Sequence, residues 1–124
     1  MNKKMLSILA GVLGVAVSFG ASASKSWCSG KVVNLQLDKN TRLYATFSGT
    51  GDKPLRVSDG SLCSLKTSQG ENTFCKALHS QLLVALATQQ TVTLWFNNNN
   101  GQCPTGSWTN LESKGFYHFR LMKG

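Results

Sequence analysis

Acidic and histidine side chains are scarce in this chain. Its 124 residues include five Asp and Glu and two His. Few groups are therefore on hand for acid–base or metal chemistry. The sequence also has no Gly-x-Ser-x-Gly elbow, no His-Glu-x-x-His pair and no phosphate-binding glycine loop. The four cysteines, Cys28, Cys63, Cys75 and Cys103, are separated by 35, 12 and 28 positions, which is not the two close pairs of a structural zinc site. His79 falls at the edge of a helical apolar stripe and His118 within a strand, positions that suit packing or surface roles. Asp52 and Asp59 sit in loop segments, where carboxylates usually form turns. These absences point to a non-enzymatic protein without metal or cofactor. Nor is there an internal repeat, an interdomain linker or a tail of adjacent charges.

The length fits one domain, and a hydrophobic fraction of 41% suffices for a packed core and excludes a wholly disordered chain. Lys3 and Lys4 open a segment whose uncharged, mostly apolar run Met5–Phe19 leads through Gly20 to Ala21-Ser22-Ala23. Basic start, apolar run and small-x-small end are the parts of a secretory signal. The run is short for a membrane-spanning helix, which needs about 20 apolar residues. The expected organisation is a signal peptide at 1–23 and a single domain at 24–124, secreted or periplasmic, with no membrane span in the mature form.

Removing two lysines with the signal lowers the formal net charge from +8 to +6. The basic residues that stay are scattered, so the surface favours an anionic partner: an acidic glycan, lipopolysaccharide, acidic lipid or nucleic acid. An even cysteine count in an exported small domain reads as two disulfides. Spacing leaves all three pairings open.

Hydrophobic periodicity orders the elements. Gly30–Leu37 alternates towards its end, which places Val33, Leu35 and Leu37 on a buried row. Asp38-Lys39-Asn40 supplies turn chemistry. Arg42–Phe47 alternates again, with Leu43, Ala45 and Phe47 inward and Arg42, Tyr44 and Thr46 outward, so the pair forms a hairpin. Leu55–Leu65 holds a third strand, broken around Asp59-Gly60. Asn72 is positioned as an N-cap, and Thr73–Thr88 is free of Gly and Pro, with Phe74, Leu78, Leu82, Ala85 and Leu86 on one stripe. Leu83, Val84 and Ala87 lie elsewhere on the helix, so a second face, in an assembly, would be covered as well. Thr91–Phe96 is the strongest strand, with Val92, Leu94 and Phe96 inward against the helix and Thr91, Thr93 and Trp95 outward. Asn97 through Trp108 is a loop, and Phe116–Leu121 a final strand.

Strand, strand, strand, helix, strand, strand is the order of an α+β, mainly β fold: an OB-type five-stranded Greek-key barrel with one helix between strands three and four. Ligands of such barrels use the face of strands two and three and the loops joining strands one to two and four to five. Those positions bring Lys39 and Asn40, Arg42 and Tyr44, then Asn97–Asn100, with Asn99 among them, and Trp108. Aromatic rings that stack on a sugar or base, with Asn and Arg as directional hydrogen-bonding groups, suit a glycan and also a single nucleic-acid strand.

The segment Cys75-Lys76-Ala77-Leu78-His79-Ser80-Gln81-Leu82-Leu83-Val84-Ala85-Leu86-Ala87-Thr88, running into Gln89-Gln90-Thr91-Val92-Thr93-Leu94, resembles the helix-then-strand core of small secreted proteins similar to the receptor-binding B subunits of subtilase-type and pertussis-like bacterial toxins. The start Gly30-Lys31-Val32 is similar too, as are a cysteine near strand three and another after strand four. The resemblance follows element order over residues 28–122 and is specific over 75–96. It implies an OB-type barrel, a homo-oligomeric ring of five, recognition of a cell-surface glycan and a possible toxin A-type subunit as partner. It also implies a Cys63–Cys103 bridge, which leaves Cys28 with Cys75; the competing pairing is Cys63–Cys75 with Cys28–Cys103. The Tyr-Tyr-Ser type sugar-contact segment of the subtilase-type B subunit has no match, since Val33–Lys39 occupies its place, so its sialic-acid pocket does not transfer residue by residue. The second functional expectation is a monomeric periplasmic OB-fold protein that binds nucleic acid or a protein partner, as an inhibitor or envelope stress factor.

Overall fold

A computed structural model describes residues 25–123. The expected signal peptide lies outside the described residues. The described residues are mainly β with one helix. Its elements are β1 (Ser26–Leu37), β2 (Arg42–Gly49), β3 (Arg56–Ser58), β4 (Gly60–Ser64), β5 (Lys66–Thr67), β6 (Gly70–Glu71), α1 (Thr73–Thr88), β7 (Thr91–Phe96), β8 (Thr105–Ser107) and β9 (Phe116–Leu121). Five of the strands form one antiparallel sheet in the order β4-β2-β1-β7-β9. The break expected near Asp59-Gly60 is there: Asp59, at φ 53°, separates β3 from β4. β3 turns away to pair in parallel with β8, and a parallel bridge joins Ser61 to Asn110.

β1 and β2 form the expected hairpin, closed by the Asp38 carboxylate, which accepts from the backbone N–H of Asn40 at 2.8 Å and of Arg42 at 3.0 Å. Leu43, Ala45 and Phe47 are buried as their alternation required. The inner row of β1 differs from expectation. Its register against β2 shifts between Val32 and Asn34, a bulge that inserts one residue and reverses which side chains face the core. Cys28 and Val32 are therefore buried and Val33 is exposed, while beyond the bulge Leu35 packs on the core and Leu37, the last residue of the strand, is exposed beside the turn.

The Asn72 side chain caps α1 by accepting from the Cys75 N–H. Cys75, Leu78, Leu82 and Ala85 form the buried stripe. Phe74, expected on that stripe, is exposed and meets the Phe116 ring at a tilt, 5.8 Å between centroids. Leu83 and Val84 are exposed as well. The helix backbone runs nearest to β1, with β4 and β9 beside it, and its buried stripe shares one hydrophobic core with Val92, Leu94 and Phe96. Gln89 ends it in the left-handed region, and the Gln89 side-chain amide donates to the Val32 carbonyl at 3.0 Å. In β7, Val92, Leu94 and Phe96 are buried as expected, and so is Thr93, whose hydroxyl shares a hydrogen bond with Ser29 at 2.8 Å.

The disulfides are Cys28–Cys103 and Cys63–Cys75, the competing pairing, so the expected Cys63–Cys103 and Cys28–Cys75 bridges are corrected. Local geometry explains this. Asn72 N–H donates to the Leu65 carbonyl, so the small β5–β6 hairpin folds the start of α1 back beside the end of β4, leaving the Cα atoms of Cys63 and Cys75 5.9 Å apart. The loop after β7 returns to the start of β1, where Ser26 Oγ donates to the Gln102 carbonyl at 3.0 Å, and this brings Cys103 to Cys28. Two bridges fit an oxidising compartment. Among the described residues, no helix is long and apolar enough to cross a membrane.

Candidate functional site

The outward side chains of β2 gather the densest polar and aromatic set expected from the sequence. Arg42 is opposite Ser64 and Tyr44 opposite Ser61 on β4, while Gln36 of β1 faces Tyr44 from the other side. The Arg42 guanidinium donates to Ser61 Oγ, to Ser64 Oγ at 3.1 Å and to Glu112 Oε1 at 2.9 Å. It is thereby held flat along the sheet surface with a fixed orientation. The Tyr44 hydroxyl donates to Asp38 Oδ2 at 3.2 Å. Further along, Gln36 donates to the Asp59 carboxylate, whose own backbone N–H is held by Thr46 Oγ1 at 2.9 Å.

Trp108 completes the face. The long connection from β7 to β9 crosses to β4, where Ser61 N–H donates to the Thr109 carbonyl and Leu111 N–H to the Ser61 carbonyl. Trp108 has a left-handed backbone, φ 60°, held by donation from its N–H to the Ser58 carbonyl at 2.8 Å. Such a conformation costs a non-glycine residue about 1–2 kcal/mol, and it aims the indole at the sheet. The ring meets Tyr44 edge-on, with centroids 5.6 Å apart, while 62% of the residue stays open to solvent.

Two ionisable groups here are perturbed. Donation from the Arg42 backbone N–H, with further help from the Asn40 N–H and the Tyr44 hydroxyl, holds the Asp38 carboxyl below its ordinary range. Tyr44 is pushed up, first by loss of solvent around the phenol and then by its bond to the Asp38 carboxylate.

Of the residues expected at a site, Arg42, Tyr44 and Trp108 come together. Lys39 stands at the exposed tip of the turn that leads into Arg42. Asn99 is placed elsewhere: it follows Phe96, which pairs with Ser26 at the start of β1, whereas the Lys39 turn follows Leu37 at the strand's other end. Asn99 Nδ2 donates to the Gln102 carbonyl at 2.9 Å and so closes its own loop. Asp38, Asp59, Ser61, Ser64 and Glu112 were not expected at the face. The outward alternation of β2 signals which row they join, but nothing local in the sequence ties Glu112 to Arg42, 70 positions away. His118 is exposed and edge-on to Trp95, and His79 is half-buried on α1.

The arrangement offers an open aromatic platform beside an oriented guanidinium, hydroxyls and carboxylates. Such a set can bind a neutral or weakly charged polyhydroxylated ligand by ring stacking and paired hydrogen bonds. No protein-family model matches the chain, and no curated protein is significantly similar to it.

Proposed function

We propose that the protein is an exported, non-enzymatic binding protein that recognises a glycan on the outer face of β2, through Arg42, Tyr44 and Trp108. One observation carries the reading: Trp108 is held in a left-handed backbone conformation with its ring exposed, next to Tyr44 and a guanidinium anchored by three partners. A strained and exposed aromatic residue contributes little to the core, and ligand binding gives it a role. Carboxylates and hydroxyls around the platform match the alternating donors and acceptors of a sugar.

The architecture we read is the OB-type Greek-key barrel. Its support is the sheet order β4-β2-β1-β7-β9, with the Ser61–Asn110 bridge and the parallel β3–β8 pair drawing the far connection onto the β4 edge. Export to the periplasm or beyond rests on the N-terminal segment and the two disulfides. Assembly with further copies, as in a toxin-type ring of five with or without an A-type subunit, draws support from Leu83 and Val84, apolar and exposed on α1. Glycan-array binding tests the recognition, and light scattering tests the assembly. A monomer at micromolar concentration removes the ring and leaves the glycan site standing.

A further inference from the structure

On the outer surface of β1, β7 and β9, three aromatic side chains stand in register. Trp27 is directly opposite Trp95, and Trp95 directly opposite His118. Neighbouring strands lie about 4.8 Å apart, so the row crosses about 10 Å of surface. Trp27 is 46% exposed, His118 is exposed, and the Trp95 and His118 rings meet edge-on at 4.7 Å. Each flank carries a cation seated on a ring. Lys53 Nζ lies 4.3 Å from the Trp27 centroid, the Arg120 guanidinium 5.1 Å from that of Trp95, and Lys25 Nζ 5.9 Å from that of Tyr117.

The charge and hydrogen-bonding character of this surface is unlike that of the β2 face. Three of the five carboxylates, Asp38, Asp59 and Glu112, bond to groups of the β2 face, and Glu71 pairs with Lys76. The fifth, Asp52, is exposed and next to Lys53 in the chain. Rings and cations therefore dominate the row, because four of the five carboxylates bond elsewhere. Rings spaced at strand separation, with a cation beside Trp27 and another beside Trp95, suit a ligand that alternates flat apolar faces with negative charge.

We propose that this surface is a second binding site, for single-stranded nucleic acid, separate from the β2 face. On binding, Lys53 and Arg120 swing off the rings to take phosphates, with Lys25 as a third phosphate contact, and bases take their places against Trp27 and Trp95. The site tolerates any base sequence, because every base offers a ring face.

The test is a fluorescence titration of the purified protein with a thymidine oligomer of about 12 nucleotides, inside the ~4–16 nucleotide range of such surfaces. Saturable binding with quenched tryptophan emission is expected. Three phosphate contacts give a log–log salt slope of about −2. Lys53→Gln and Arg120→Gln, both at exposed positions, should each reduce the slope by about 0.7, and Trp27→Ala should weaken binding about tenfold. An oligomer of the same length without bases should bind about tenfold more weakly or worse. Trp108→Ala should leave oligomer binding intact, which separates this site from the glycan site. Equal affinity for the base-free oligomer or for a sulfated glycan would overturn the proposal in favour of a general anion surface. Absence of saturable binding at low salt, or unchanged binding by both glutamine variants, would overturn it outright.

Discussion

The Arg42 guanidinium reaches the Glu112 carboxylate at 2.9 Å and so ties β2 to the connection that precedes β9. Arg42 is only partly exposed, and two serine hydroxyls share its donors. An ion pair with an open carboxylate contributes about 0–1 kcal/mol. Glu112→Gln should therefore lower stability by less than about 1 kcal/mol in urea unfolding. A loss above about 2 kcal/mol would mean that the pair is needed to hold the connection in place.

Asp38 makes the turn before β2 sensitive to acid. Its carboxyl titrates below the ordinary value of 3.8, chiefly because the Arg42 N–H bonds to the ionised form. The unfolded chain takes up this proton at a higher pH than the folded one. The stabilisation is thus complete above the unfolded value and is lost as pH falls through the lower folded value. Stability followed from pH 6 downward should decline below about pH 4, and Asp38→Asn should flatten that part of the curve. An identical acid limb in the variant would show that Asp38 does not contribute.

Leu82 is fully buried where α1 meets the sheet. Leu82→Ala should cost roughly 2–5 kcal/mol, measured by denaturant unfolding. A cost under about 1 kcal/mol would place that face of the helix away from the core.

The two bridges close loops of different length, with separations of 75 and 12 residues. In the chain-entropy model the longer contributes about 4 kcal/mol and the shorter about 3. Paired Cys→Ser replacement of Cys28 and Cys103 should consequently destabilise more than replacement of Cys63 and Cys75. Peptide mapping of the unreduced protein should recover Cys63 linked to Cys75; a Cys63–Cys103 peptide would contradict the pairing.

Elements whose signals are local were readable before the structure. Asn72, the Gly- and Pro-free run after it, and the Val92, Leu94, Phe96 alternation defined α1 and β7 to the residue. The β1–β2 hairpin was readable for the same reason. Features that depend on one inserted residue or on a distant partner were not. The bulge at Val33 reverses the faces of β1 without any glycine or proline to mark it. The disulfide pairing depends on the short β5–β6 hairpin, two residues a side, which has no periodicity to read. At the β2 face, Arg42 and Tyr44 followed from alternation. The arrival of Trp108 and Glu112 depends on a loop path that hydrogen bonds to β4 determine.

The most direct test of glycan recognition is the affinity of the protein and of its Trp108→Ala and Arg42→Ala variants for the strongest ligand found on a glycan array, with unfolding midpoints measured alongside. The account predicts saturable binding by the parent protein. Both variants should remain folded and bind about tenfold more weakly or worse, equivalent to about 1.4 kcal/mol. Undiminished binding by both variants, or a parent protein that retains no glycan, would contradict it.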